Sequence, residues 1–155
     1  MPSMSGRVAN FLSRRFPDVG RRATLRQIEK FRASKGTKGN TLLGKPVFLL
    51  DVVGRKSGES RPVMLMRVHR GDDLIVVGSN GGNPTTPNWW ANLVAAGEAH
   101  VEVGADRWAV EVHELDDGTE RDDCWALACA AYPDFASYQE LTDRKIPIAV
   151  LTRKG

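Results

Sequence analysis

The chain has 155 residues, of which 41% are hydrophobic, and both figures are typical of one globular domain with its own core. Its net charge is only +3, but residues 1–50 carry eleven of the 22 Lys and Arg residues against two acids, so this part has a charge of +9 and the remainder −6. The asymmetry indicates an acidic partner, and an anionic membrane, a nucleic acid and a polyanionic ligand all fit it.

The compartment is suggested by what the sequence lacks. No apolar run approaches the roughly 20 residues that span a bilayer, and the arginine-rich N-terminus lacks the apolar core of a secretory signal. Cys124 and Cys129 are five residues apart in a predicted helix, so their side chains point in different directions and no disulfide is expected. We therefore expect a cytoplasmic protein, either soluble or peripheral to the inner face of the cell membrane.

Residues 1–40 are predicted to form a basic helical extension, followed by a domain of residues 41–155. Pro17 and Gly20 separate two short predicted helices, SGRVANFLSRRF and GRRATLRQIEKFRASKG. The next segment is rich in Gly and Lys and is expected to be a linker or a poorly ordered loop: SKGTKGNTLLGK.

Three strands are predicted next, since PVFLLDVV, RPVMLMRVH and LIVVGS are short, apolar and bounded by glycine-containing turns. The RGDD segment before the third strand predicts a tight antiparallel hairpin. A helix should follow in TPNWWANLVAAG, with Thr86 as N-cap, Pro87 at the first position and Gly97 as terminator.

A second hairpin, a helix and a last strand complete the prediction. AHVEVG and RWAVEVHEL alternate apolar and polar residues on either side of GAD, DGTERDDCWALACAAY places acids in the first turn of a helix, and IPIAVL reads as a strand. This order predicts an α+β fold around an antiparallel barrel of about six strands. The candidates for the buried face of the hairpin are Val101, Val103, Trp108, Val110 and Val112.

Residue spacing disfavours several kinds of reaction centre. His69, His100 and His113 lie far apart, and no spacing typical of metal ligands joins them to the cysteines, so no metal site is predicted. Ser57 and Ser79 lack the G-x-S-x-G motif of hydrolases. The SNGGNP segment matches neither the P-loop nor the dinucleotide-binding fingerprint.

The loop GRKSGESR concentrates positive charge. Arg55, Lys56 and Arg61 flank Ser57 and Gly58, a combination in which guanidinium groups can bind phosphate or carboxylate oxygens and glycine lets backbone N–H groups approach. On residue types alone, an exposed turn is the more common role of such a loop. Both interpretations stay open at this point.

Two aromatic groups also allow more than one role. Trp89 and Trp90 point about 100° apart on a helix, so one is expected in the core while the other can edge a pocket. Tyr132, Phe135 and Tyr138 fall on one helical stripe, for which core packing is the usual explanation.

Four ordered motifs resemble the deazaflavin-dependent nitroreductase family, actinobacterial split-barrel enzymes that use coenzyme F420. They are GRKSGESR, then VVGSNGG after a strand, PNWWANL opening a helix, and YPDFASYQELTDRKIPIAVL. The similarity extends from about Gly44 to Leu151, and its specificity lies in the order and spacing of the four motifs. It implies a split β-barrel, often dimeric, with the deazaflavin in a groove beside the barrel.

The resemblance implies roles for individual residues. The phosphate and oligoglutamate tail would be met by Arg55, Lys56, Ser57 and Arg61, with Asn80 at the anionic end. The ring would be contacted by Met64, Leu65, Met66, Val77, Gly78, Ser79, Trp89 and Asn92. Tyr132, Phe135 and Tyr138 would cover the substrate, and Tyr138, Tyr132 and Ser79 are the candidates for orienting it or supplying a proton.

The chain also departs from the family pattern. Asn80 stands where relatives carry a lysine, Met64 where they carry a proline, Met66 replaces an aromatic residue and Phe135 replaces a tyrosine. These differences argue against activation of nitroimidazoles more than against binding of a deazaflavin.

The implied reaction is hydride transfer from reduced F420 to a quinone, an enone or a nitroaromatic compound. The alternatives are a split-barrel reductase that uses flavin mononucleotide and a carrier that binds the deazaflavin without turnover. Nucleic-acid binding is not expected, because the basic N-terminus lacks a reading motif and interleaved aromatic residues. Phe11, Leu12 and Phe16 lie among arginines there and predict a helix at an anionic membrane surface, close to lipid-soluble quinones.

Overall fold

The structure is a computed structural model that describes residues 17–154, with side chains from residue 22 onward. The first predicted basic helix lies outside these residues. The second lies three residues nearer the N-terminus than predicted, because helix α1 spans Pro17–Ala33 and includes Gly20. Pro17 suits the first position of a helix. Gly20 lowers helix stability by about 1 kcal/mol, and the packing of Ile28 and Phe31 against Leu49 offsets this cost.

The segment that follows α1 is a folded connection, and the prediction of a linker was wrong. Strand β1 (Thr41–Leu42) pairs with the start of β2 (Lys45–Val53), and the Gln27 side-chain amide donates to the carbonyls of Gly39 and Thr41. Gly36, at φ +76°, lies so close to Gly104 that a Cβ atom would come within 2.3 Å of the Gly104 oxygen. Long-range contacts of this kind leave no local signal in the sequence.

The remaining strands are β3 (Ser60–Met66), β4 (Val68–Arg70), β5 (Asp73–Val77), β6 (Glu98–Val103), β7 (Asp106–Glu114) and β8 (Ile148–Arg153). All described pairings are antiparallel, and the RGDD hairpin is confirmed by the pairing of Arg70 with Asp73. The predicted second strand is split at Arg67 into β3 and β4.

The strand order shows that the sheet curls into a split barrel. It runs β3-β2-β6-β7-β8-β5-β4, with β1 beside β2. β3 and β4 lie at opposite ends of this order, yet only Arg67 separates them in the chain, so the two edges must curl towards each other. The predicted α+β split barrel is confirmed, with eight strands in the described part of the chain, because the sequence did not resolve the short β1 and β4.

Three further helices flank the barrel: α2 (Asn88–Ala96), α3 (Thr119–Ala131) and α4 (Asp134–Glu140). Gly97 ends α2 in the left-handed conformation, as predicted, but Pro87 occupies the N-cap instead of Thr86. The predicted continuous stripe of Tyr132, Phe135 and Tyr138 is broken, since α3 ends at Tyr132. The proline ring disfavours the α conformation for the residue before it. Tyr132 precedes Pro133 and is accordingly extended, with φ −139° and ψ 92°.

Besides the small cluster beneath α1, two larger apolar clusters lie within the described residues. One contains Phe48, Leu50, Val101 and Val110 beneath α2, and Trp108 and Val112 pack against its edge. The other contains Ile75 and Ile148 with residues of α3 and α4. Within residues 17–154, no helix is both long and apolar enough to cross a membrane.

Candidate functional site

The cationic loop is a tight turn between β2 and β3. The Gly54 N–H donates to the Glu59 carbonyl at 2.8 Å, the Gly58 N–H donates to the Gly54 carbonyl at 2.8 Å, and Gly58 takes a φ of +71°. Ser57 belongs to the turn itself, because its hydroxyl accepts from the Glu59 N–H at 3.2 Å. Glycine at the left-handed position therefore lets the chain reverse without strain.

The cations of this loop remain available to a ligand. Arg55, Lys56 and Arg61 are exposed, and no carboxylate of the described chain forms a salt bridge with any of them. Asn92 of α2 accepts from the Arg55 backbone N–H at 3.1 Å and from Arg55 Nη1 at 2.7 Å. Asn92 therefore fixes the loop against α2, a role that the sequence did not reveal.

A groove of about 540 Å³ opens beside this loop. Its volume lies within the roughly 300–1,000 Å³ of small-molecule sites. Trp89 lines it, whereas Trp90 is buried in the core, with the two ring centroids 5.5 Å apart. The walls come from α1 (Thr24, Leu25, Ile28), the β2–β3 hairpin (Val52, Glu59, Ser60, Arg61, Pro62, Val63) and α2 (Asn88, Trp89, Asn92).

The contribution of α1 to the groove was missed at the sequence level. The sequence predicted a basic helix here but not which part of the molecule it covers. Arg32 anchors that helix, with Nη2 at 3.0 Å from Asp51 Oδ2 and 2.8 Å from Glu102 Oε2. Arg107 also pairs with both carboxylates, and the hydrogen bond to Glu102, above all, raises the pKa of Arg32.

A second, mainly apolar pocket of about 160 Å³ lies farther along β3. It is smaller than a typical ligand site, so it can take the edge of a planar ring but not a whole cofactor. Its lining includes Met64, Leu65, Met66, Val77, Ser79, Tyr132, Phe135 and Tyr138. β3 thus joins the two cavities, since Ser60–Val63 help to line the groove and Met64–Met66 help to line the pocket.

Two buried hydroxyls form the polar end of this pocket. The oxygens of Tyr132 and Tyr138 are 3.1 Å apart, and the Phe135 ring stands edge-on to Tyr132 at 5.0 Å between centroids. Burial raises the pKa of both tyrosines, and the hydrogen bond to Tyr138 raises that of Tyr132 further. Both are therefore protonated at neutral pH, and either hydroxyl can donate to the other.

The loop of residues 78–83 lies between the cavities, but two of its predicted ligand contacts line neither. A Cβ atom on Gly78 would come within 2.8 Å of Pro147 and 3.0 Å of Trp90, so this position faces the core. Asn80, at φ +46°, turns its amide to donate to the Thr85 carbonyl at 2.9 Å. Of the predicted residues in the loop, Ser79 is the one that lines the pocket.

Arg144 contacts this loop and was not singled out in the sequence. Its Nε donates to the Asn83 carbonyl at 2.9 Å and its Nη2 to the Ser79 carbonyl at 2.8 Å, while both terminal nitrogens lie 3.2 Å from the Gly78 carbonyl. Burial lowers its pKa. The partners are main-chain atoms more than 60 residues away, which no local pattern can indicate.

Comparison with known proteins identifies the family. Residues 24–153 match the family model described as F420H(2)-dependent quinone reductase. An F420H(2)-dependent quinone reductase of Mycobacterium tuberculosis is 32% identical over 129 residues, which cover 80% of this chain and 85% of that protein.

Solved structures agree with this match. An F420-H2-dependent reductase, FDR-A, is 39% identical with a TM-score of 0.64 over 68% of this chain and 93% of its own. A domain-swapped dimer is 34% identical with a TM-score of 0.67 over 87% and 98% of the two chains.

Proposed function

The chain belongs to the F420H(2)-dependent quinone reductase family, and we propose that it passes a hydride from reduced coenzyme F420 to a small quinone. The observation that carries the proposal is the course of β3. One strand leads from a loop with three exposed cations, along a groove, to an apolar pocket that ends in two protonated tyrosines. These two ends suit a ligand that has an anionic tail at one end, which needs cations, and a planar ring at the other, which needs an apolar surface.

The distances fit such a ligand. From Ser60 to Met66 the strand advances about 20 Å at roughly 3.3 Å per residue, a span that suits a tricyclic ring joined to a phosphate by a short chain. Arg55, Lys56 and Arg61 would hold the phosphate and the carboxylates of the tail, because guanidinium groups bind such oxygens through charge-assisted hydrogen bonds. Trp89 and the methionines of β3 would give the ring an apolar wall.

When bound, reduced F420 supplies the hydride, and the residues of the chain supply position and a proton. A quinone that accepts one hydride and one proton becomes a hydroquinone, so the balance requires one donor. Tyr138 suits this role, since it lines the pocket and its raised pKa keeps it protonated. Ser79, at the same wall, would orient the acceptor carbonyl. The apolar lining excludes water from the reacting groups.

The purified protein should bind F420 more tightly than flavin mononucleotide and oxidise reduced F420 with menadione. Arg61→Ala should weaken F420 binding about tenfold or more by removing a charge-assisted contact. Tyr138→Phe should slow turnover without changing that affinity. Fluorescence quenching measures binding, and the absorbance of the oxidised cofactor measures turnover.

The matched control is Lys30→Ala. It removes one positive charge from α1, two residues and about 200° from Ile28 and hence on the face turned away from the groove. Lys30→Ala should leave F420 affinity unchanged. Tighter binding of the mononucleotide would overturn the proposal, and F420 binding without turnover would instead identify a carrier.

Two further features of the assembly are proposed. We infer a homodimer, supported by the domain-swapped dimer among the similar structures, and sedimentation analysis should then return twice the mass of the chain. We also infer that the basic N-terminal segment brings the enzyme to an anionic membrane, where lipid-soluble quinones dissolve. The charge of +9 in residues 1–50 supports this second inference.

A further inference from the structure

Arg144 lies between α4 and β8 and directs its guanidinium group at one loop. Its hydrogen bonds go to the carbonyls of Gly78, Ser79 and Asn83, and no described carboxylate pairs with it. A half-buried cation that is satisfied wholly by main-chain oxygens loses solvation without gaining an opposite charge. Such an arrangement is costly for an arginine that only stabilises the fold, so the loop it holds should matter for function.

The held loop contacts three walls of the site. Ser79 lines the apolar pocket, and Gly78 packs against Trp90, whose neighbour Trp89 lines the groove. Gly82 abuts α4, since a Cβ atom there would lie 2.8 Å from the Tyr138 carbonyl oxygen. A shift of this loop would therefore move Ser79 relative to both tyrosines and the indole relative to the groove.

Arg144 is itself held in place from α4. The Gln139 side chain donates to the Arg144 carbonyl at 2.8 Å and accepts from the Ile146 N–H at 2.9 Å. The connection therefore runs from Gln139 through Arg144 to the carbonyls of the loop. Since Gln139 follows Tyr138 directly, the tyrosine and the serine of the pocket are tied to one rigid unit.

We infer that Arg144 is a positioning residue that fixes the place of Ser79 and Trp89 relative to Tyr138, a role that rests on the proposed function. Lysine cannot replace it, because one ammonium group on a flexible stem cannot span three carbonyls that a planar guanidinium group bridges. A misplacement of about 1 Å in a reductase site can cost about 100-fold in rate.

The test compares Arg144→Lys with Arg121→Lys. Arg121 is buried and donates to the Ile146 carbonyl, and no described hydrogen bond joins it to the 78–83 loop, so it controls for general loss of stability. Arg144→Lys should lower menadione turnover at least about tenfold while F420 affinity stays within about threefold. Arg121→Lys should not lower turnover selectively relative to F420 affinity, even if its melting temperature falls.

A readout that needs no ligand is the hydrogen exchange of residues 78–83. It should be faster in Arg144→Lys and unchanged in Arg121→Lys. Unchanged exchange, or a loss of affinity equal to the loss of turnover, would overturn the inference. If Arg144→Lys does not fold, Gln139→Ala is the substitute. It should also lower turnover more than F420 affinity, though by less, and equal losses would count against the positioning role. If the unmodified protein shows no turnover, the proposed function fails, and exchange still decides whether Arg144 fixes the loop.

Discussion

Tyr132 and Tyr138 show how burial, and not residue type, sets the chemistry of a side chain. From the sequence, core packing and substrate contact were competing explanations for this aromatic group. The structure shows that these explanations are compatible, since the rings are buried in the second apolar cluster while the residues line a pocket. A tyrosine can pack its ring and still present its hydroxyl, which is why a count of aromatic positions could not separate the two roles.

The raised pKa values of these tyrosines predict a loss of stability at alkaline pH. Each folded-state pKa lies above the unfolded value of about 10, so the stability is fully present below pH 10 and is lost as the pH rises further. The urea midpoint of the protein should fall between pH 9 and about 11 more than that of a Tyr132→Phe/Tyr138→Phe variant. Lysines titrate equally in both proteins and cancel in the difference, so equal falls would contradict the prediction.

Asn92 and Asn80 were both expected to contact the cofactor, and the structure places each of them in a supporting contact. The Asn92 oxygen accepts two hydrogen bonds from Arg55, and the Asn80 amide closes its own loop on Thr85. The missing lysine at position 80 therefore need not leave a gap in the groove, because the side chain there points elsewhere. Residue identity predicted that both positions lie near the cofactor, but not which groups their side chains contact.

Among the elements, α1 changes role most between sequence and structure. It was predicted as part of an extension, and it forms one wall of the groove through Thr24, Leu25 and Ile28. Its other attachment is the ion-pair cluster at the C-terminal end of the helix, where Arg32 meets Asp51, a carboxylate that is only 8% exposed. An element at the edge of the domain thus completes the site.

Arg32→Ala should loosen that wall. Asp51 keeps Arg107 as a partner and Arg32 is 41% exposed, so we expect a loss of about 1–2 kcal/mol in unfolding free energy, less than for a fully buried pair. F420 affinity should fall as well, because α1 is no longer held over the groove. Urea denaturation and fluorescence titration measure the two effects. Lys30→Ala on the same helix is the control, and equal affinities of the two variants would exclude the anchoring role.

The charge distribution is a property of the whole molecule and predicts its behaviour on membranes. Because α1 packs against β2 and lines the groove, a membrane test should remove only residues 1–16, which contain three arginines. At about 1 kcal/mol per arginine near an anionic surface, the deletion should weaken binding to phosphatidylserine vesicles about 100-fold, and less at high salt. Co-sedimentation measures this, with neutral vesicles as the control. Equal pelleting of the full-length and truncated proteins would contradict membrane binding through residues 1–16.

Much of the barrel could be predicted, because its strands carry local signals. The alternation in β6 and β7, the RGDD turn and the glycine that ends α2 each depend on neighbours within a few residues. The closure of the sheet could not be predicted in this way. It follows from Arg67 being the single residue between two strands at opposite edges, which is visible only once the strand order is known.

The sequence by itself determined the fold class, the family and the positions of the cations and aromatic residues, since these reside in local patterns and ordered motifs. Only the tertiary structure decided that β3 joins groove to pocket, that α1 walls the groove and that Arg144 holds the Ser79 loop. The physical reason is distance along the chain. Each of these contacts joins segments that are tens of residues apart, and their energies depend on burial and geometry that arise only when the barrel has closed.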